Sequence, residues 1–126
     1  MNQVILLSGP PGAGKTLVGE ALCERFDRMV HVEVDDLRHW VKAGYRHPWT
    51  GDRQAAEQLE LAGREAVAIA REALAMRYSV IITDVALPQK AGLYRDLLDR
   101  LPCAAHIVTL LPSLEVTLAR DAERRV

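Results

Sequence analysis

Residues 9–16 read Gly9-Pro10-Pro11-Gly12-Ala13-Gly14-Lys15-Thr16, a complete G-x-x-x-x-G-K-[ST] pattern. The pattern directly follows the apolar run Val4-Ile5-Leu6-Leu7 and opens a stretch of helical spacing. No other feature constrains the fold as strongly. A buried strand must deliver the loop, and glycines must let the backbone curl so that successive N–H groups point inward. A helix must then begin near Lys15, adding the positive end of its dipole. A loop of this kind surrounds a nucleoside triphosphate tail with the backbone of residues 9–16. Lys15 reaches the β- and γ-phosphates, and the Thr16 hydroxyl ligates Mg²⁺. A plain Gly/Pro turn before a helix would leave the coincidence of strand, loop, helix and Lys-Thr unexplained.

Apolar strands alternate with helical patterns along the remaining chain, which predicts βαβ units and a mostly parallel sheet covered on both faces. Strands are expected at about 3–7, 30–34, 79–83 and 106–111. Helices are expected at about 15–26, from an Asp35-Asp36 cap to 43, at 53–77, at 89–100, and from a Ser113 cap onward. The fold class is therefore α/β, a three-layer α/β/α arrangement built as one domain over 1–126. The last helix runs into the charged stretch Arg120-Asp121-Ala122-Glu123-Arg124-Arg125 without a stop signal. The domain is expected to break off partway through a structural unit, with strand four at an open edge.

The formal charge is −1, which removes any global electrostatic case for nucleic acid or an anionic membrane. Aromatic residues are only 5% of the chain, too few for a row of base-stacking platforms. Cys23 and Cys103 are the only cysteines and lie in no metal-ligand spacing, so both read as reduced, semi-buried residues. No basic leader or bilayer-length apolar segment is present in the sequence, and a cytoplasmic location is expected. His31, His39, His47 and His106 likewise show no metal spacing. His39, beside Arg38, is the one to watch.

In open α/β sheets, ligands bind outside the carboxyl ends of the strands. Asp35 and Asp36 follow strand two and Asp84 follows strand three, so all three belong on that rim. A carboxylate there can accept a proton from a hydroxyl or hold Mg²⁺ directly or through water. The competing reading for Asp35 and Asp36 is helix capping, and for Asp84 a polar strand end. Asp84, after Val80-Ile81-Ile82-Thr83, stands where a Walker-B-like aspartate would.

Taken together, Gly9 to Thr16, Val32-Glu33-Val34-Asp35-Asp36-Leu37-Arg38, Ile81-Ile82-Thr83-Asp84 and Leu118-Ala119-Arg120 through Arg124 resemble the small P-loop kinases. The branch includes chloramphenicol phosphotransferase, gluconate kinase, adenylylsulfate kinase and the zeta-toxin-like AAA-type ATP-binding proteins. The resemblance spans nearly the whole chain, with the phosphate loop its most specific part. It implies the P-loop NTPase fold, Mg-ATP as phosphoryl donor and a small-molecule hydroxyl as acceptor. It further implies Asp35 as the base, Arg38 on the acceptor, and Arg120 and Arg124 as lid cations near the transferred group. Such cations matter because the transition state spreads negative charge over the γ-phosphate oxygens. Relatives continue through the lid into a fifth strand whose following loop contacts adenine, and this stretch is expected to end within the lid.

The loop Gly44–Asp52 is rich in Gly, Pro and aromatics and is expected to be ordered, with Tyr45 and Trp49 either anchoring it to the neighbouring helices, the favoured reading, or forming an apolar wall for a substrate. Two functions remain compatible with the residues: an ATP-dependent small-molecule kinase, or a nucleotide-binding module without transfer activity. Acceptor identity, ATP against GTP and oligomeric state are not legible at this level.

Overall fold

The computed structural model describes residues 2–85 and 88–110. Strands β1 (Val4–Gly9), β2 (Met29–Glu33), β3 (Ser79–Val85) and β4 (Ala105–Thr109) form one sheet in the order β2-β3-β1-β4, with every pairing parallel. The helices are α1 (Lys15–Cys23), α2 (Val34–Arg38), α3 (Arg53–Ala75) and α4 (Pro88–Asp99), and a 3₁₀ turn covers Pro48–Thr50. The alternating pattern thus yields the parallel α/β sheet it predicts. The chain runs from β1 out to β2, back to β3 and across to β4, so the strand order reverses beside β1. That reversal opens a crevice at the carboxyl ends of the strands.

Strand β3 is central because it is apolar on both faces. Val80 and Ile82 join Val4 and Leu6 in one core, packed against Ala62, Ala66 and Ala70 of α3 and Leu97 and Leu98 of α4. The small α3 residues allow that helix to lie close to the sheet. Ile81, fully buried, and Thr83 point to the opposite face, as the period of two requires. There α1 packs on β2 and β3. The Asp52 side chain accepts the Ala55 amide at 2.8 Å, starting α3 one residue later, as the loop-to-helix boundary predicts.

Three boundaries depart from the sequence expectation. Helix α1 ends at Cys23 because the Arg25 and Phe26 amides turn to the carbonyls three residues back, a tightening that closes the last turn. Helix α2 stops at Arg38 instead of continuing to 43, and it starts at Val34 with Glu33 in the cap position. Asp35 and Asp36 therefore stand in its first turn and do not cap it by side chain. Its early end has a local cause: the His39 ring nitrogen Nδ1 bonds the Asp35 carbonyl at 2.7 Å, and the His39 amide goes to Asp36. Strand β4 lies at the sheet edge, exposed along its length. Cys23 and Cys103 are free thiols, and burial pushes both up in pKa. The expected final helix lies outside the described residues.

Candidate active site

The phosphate loop connects β1 to α1 as predicted. Gly12 (φ 80°) and Gly14 (φ 88°) occupy the left-handed region, where a Cβ is disfavoured, and this is what curls the backbone into the start of α1. Gly14 is the N-cap of α1 and supplies no side chain to its first turn. The amides of a first helical turn have no intrahelical carbonyl, so an anion can satisfy them. The Ala13 amide bonds Pro10 O at 3.1 Å, bracing the turn. Lys15 is buried, and its ammonium donates to the carbonyls of Gly9 (3.0 Å) and Pro10 (3.2 Å). The cation is therefore held against the loop that a triphosphate would occupy.

Thr16, next in sequence, donates its hydroxyl to a Glu33 carboxylate oxygen at 2.7 Å. Glu33 is the last residue of β2, and α2 follows at once. On that short helix Asp35 and Arg38 pair at 2.6 Å, with the Arg38 side chain 11% exposed and the Asp35 side chain 57% exposed. Arg38 is thus mostly hidden, unlike a solvated helix charge. It also donates to the Tyr45 hydroxyl at 3.4 Å, and that hydroxyl lies 3.4 Å from His39 Nε2. Because the Asp35 carbonyl can only accept, His39 Nδ1 carries the proton in that bond. A neutral ring then leaves Nε2 to accept from Tyr45. Burial pushes the Asp35 carboxyl up in pKa. The Arg38 hydrogen bond and charge, aided by the Lys15 and Lys90 charges, more than reverse that and hold it below the ordinary carboxylate value.

Asp84 closes the third side. It shares its strand parity with Val80 and Ile82, so its side chain turns toward α4. There the Lys90 ammonium sits 3.0 Å from both carboxylate oxygens, and the Tyr94 hydroxyl donates to Oδ2 at 2.6 Å. The Val85 amide donates to Oδ1 at 2.8 Å. The pair is almost sealed, with side-chain exposures of 2% for Asp84 and 7% for Lys90. Burial, then the Asp84 charge and hydrogen bond, keep the Tyr94 phenol protonated far above its ordinary pKa.

These groups line two adjoining clefts. One, of about 260 Å³, is bounded by Lys15, Thr16, Glu33, Asp35, Asp36 and Asp84. The other, of about 330 Å³, lies between Asp35, Arg38, Pro48, Trp49, Asp84 and Lys90. Asp35 and Asp84 belong to both, and of the two only Asp35 is exposed. The donors in the first cleft are a hydroxyl and carboxylates, the hard oxygen ligands that suit Mg²⁺. Among the described residues no group of three or more His, Cys, Asp or Glu converges on one metal position. Mg²⁺ sites of the phosphoryl-transfer kind need few protein ligands, since substrate phosphates and water fill the rest. The residues therefore fit a magnesium ion carried with a nucleotide.

The fold thus brings the phosphate loop (Gly9, Pro10, Pro11, Gly12, Ala13, Gly14, Lys15, Thr16), Asp35, Arg38 and Asp84 to one rim. Arg120 and Arg124 lie outside the described residues. Sequence reasoning passed over Glu33, Lys90 and Tyr94. Glu33 was legible in principle, since it sits two residues before Asp35 at the end of a strand aimed at the rim. Lys90 and Tyr94 are one helical turn apart, and only the packing of α4 on β3 points them at Asp84. Of the two readings for this loop, Trp49 fits the wall of a cleft better than the anchor. It is 76% exposed, whereas Tyr45 is half-buried and pinned as described.

Among solved structures, an unliganded sugar kinase from Janibacter sp. HTCC2649 is similar, with a TM-score of 0.69 at 19% identity, covering 98% of this chain and 68% of that one. Shikimate kinase from Acinetobacter baumannii in complex with shikimate gives a TM-score of 0.67 at 22% identity, covering 99% and 65%. A chain of the Pnkp1/Rnl/Hen1 RNA repair complex gives 0.68 at 22% identity, covering 98% and 37%. At such identities the likeness is one of fold. The chain spans about two thirds of the two single kinases and little more than a third of the repair-complex chain. None of the curated proteins matches the sequence. Among the described residues no helix is long and apolar enough to cross a membrane. The AAA domain family matches residues 4–126. The chain belongs to that family and has the fold of the small P-loop kinases.

Proposed function

We propose that this protein is an ATP-dependent phosphotransferase that moves the γ-phosphoryl group of Mg-ATP to a hydroxyl of a small molecule. One observation carries the reading: of the two carboxylates that line both the cleft at the phosphate loop and the cleft beside it, Asp35 and Asp84, only Asp35 is exposed, so a donor and an acceptor would meet at its carboxylate. The loop from Gly9 to Thr16 holds the triphosphate, and Lys15 moves from its loop carbonyls to the β- and γ-phosphates. Thr16, with Glu33 behind it, holds magnesium. That ion, when bound, neutralises charge on the phosphoryl oxygens.

Asp35 stays ionised at neutral pH, as a proton acceptor must. The acceptor oxygen bonds to the γ-phosphorus while its proton passes to Asp35. The bond from that phosphorus to the bridging oxygen breaks, and the electron pair leaves with ADP. Arg38 fixes the Asp35 carboxylate and presents its remaining donors to the acceptor. Positioning and charge stabilisation supply most of the rate in such reactions. Arg120 and Arg124 are proposed as the lid cations, and Asp84, which lines the cleft at the phosphate loop, as an outer negative charge toward the metal.

Incubation with Mg-[γ-³²P]ATP and a panel of sugars, nucleosides and hydroxylated antibiotics tests the reading. Wild-type protein transfers label to one class of acceptor, and Asp35→Asn binds ATP equally well yet loses transfer by roughly 10²–10⁴-fold. Undiminished transfer by Asp35→Asn removes the base assignment, and ATP that binds without ever turning over converts the protein into a nucleotide-binding module.

A further inference from the structure

The loop after α2 carries a ladder of four rings; the inner two bond Asp35 and Arg38 through their polar atoms, and neither the core nor the phosphate chemistry uses the outer pair. His39 stacks on Tyr45 (5.4 Å between centroids, 18°), Tyr45 meets His47 edge-on (5.3 Å, 90°), and His47 stacks on Trp49 (4.4 Å, 11°). Polar bonds order this loop. Gln58 of α3 donates to Gly44 O at 2.7 Å and accepts the Arg46 amide at 2.8 Å. Arg46 Nε donates to Gln54 at 2.8 Å, and the Thr50 hydroxyl donates to His47 O at 2.9 Å.

The loop is therefore built without burying Trp49, whose ring contributes little to folding. A large aromatic left in water gains stabilisation only when something covers it. Trp49 and Pro48 also form the wall of the cleft that Asp35 and Arg38 share. The ring already stacks on His47 (4.4 Å, 11°), a contact that favours one orientation before a ligand arrives and so lowers the ordering cost of binding.

We infer that the His47–Trp49 stack is a ring-recognition subsite, and that the acceptor is a hydroxylated compound carrying a flat, π-rich ring. The inference rests on the phosphotransferase reading for its cleft, and it narrows the acceptor class. A ringless polyol would reach Asp35 and Arg38 and leave Trp49 uncovered. A ring stacked on Trp49 would hold the acceptor by its far end while its hydroxyl lies at Asp35.

The test uses the full chain with Trp40→Phe, which leaves Trp49 as the single tryptophan, and with Mg-AMPPNP filling the donor site. Phenyl glucoside, methyl glucoside, adenosine and a 5′-hydroxyl oligonucleotide are titrated while Trp49 emission is followed. A ring-bearing probe quenches saturably, and methyl glucoside does not. In turnover assays Trp49→Ala raises KM for the accepted ring-bearing compound roughly tenfold, with kcat changed by no more than about twofold. Trp49→Phe restores most of the loss. An oligonucleotide that alone responds supports the subsite and assigns the ring to a chain end. No saturable quench by any ring-bearing probe, or a KM indifferent to Trp49→Ala, overturns the inference. Where no acceptor is phosphorylated at all, the transfer reading fails by itself and the quench titration still decides the ring site.

Discussion

Both oxygens of the Asp84 carboxylate lie 3.0 Å from the Lys90 ammonium, in a pair that water scarcely reaches. With the Tyr94 hydroxyl and the Val85 amide added, each oxygen has two donors. The arrangement makes Asp84 first of all a tether between the end of β3 and α4, holding Lys90 at the wall of the cleft shared by Asp35, Arg38 and Trp49.

Removing one member of a buried pair leaves the other charge uncompensated, which typically costs about 3–5 kcal/mol. Lys90→Met is expected at the lower end of that range, since Tyr94 and the Val85 amide still solvate Asp84. The double variant Asp84→Asn/Lys90→Met should be more stable than Lys90→Met alone. Urea denaturation of the set measures this. A Lys90→Met protein within about 1 kcal/mol of wild type would show that the pair is not sealed in solution.

The Asp35 carboxyl is held below its ordinary value of 3.8 by Arg38, against the opposing effect of burial. Taking Arg38→Gln removes the hydrogen bond and the charge and leaves the burial, so the Asp35 pKa must rise. Carbon-13 shifts of the Asp35 carboxyl, followed as pH falls, should show titration below 3.8 in wild type and at a higher pH in the variant. The sign for stability follows. The favourable contribution of Asp35 is present above the unfolded-state pKa and is lost as pH falls through the depressed folded-state value. Coincident titration in the two proteins would mean that Arg38 does not face Asp35.

Gly14 adopts φ 88°, and an L-residue there is strained by about 1–2 kcal/mol. Gly14→Ala should lower stability by that amount and weaken ATP binding further, because the backbone of the anion nest shifts. Lys15→Ala should keep the fold and abolish turnover. Calorimetry with Mg-ATP, beside thermal melts, separates the two effects. Full nucleotide affinity in Gly14→Ala would contradict the nest geometry.

Alanine is normally better than glycine inside a helix by about 0.8–1 kcal/mol, yet Gly19→Ala should destabilise α1. A Cβ on Gly19 would stand 2.8 Å from His31 Cε1, and the His31 ring is pinned to the Thr83 hydroxyl at 3.1 Å. Combining Gly19→Ala with His31→Ala should turn the sign back to stabilising. Thermal unfolding of the four-member cycle reads this out, and a stabilising single Gly19→Ala would show that the ring moves aside freely.

Contiguous residues carry what the sequence determined alone. The phosphate loop, the strand before it and the helix after it are set by a local pattern of glycines and hydrophobic periodicity. The parallel α/β layering follows from the same alternation, repeated along the chain. Asp35 and Arg38 were legible together because three residues separate neighbours on a helix face. Tertiary structure decided the rest, because those contacts join distant segments. Thr16 meets Glu33 only through the packing of α1 beside β2. Asp84 turns to Lys90 and Tyr94 because the register of β3 assigns its parity to the α4 face. Trp49 stays in water because Gln54 and Gln58, on another helix, order its loop by hydrogen bonds in place of apolar burial.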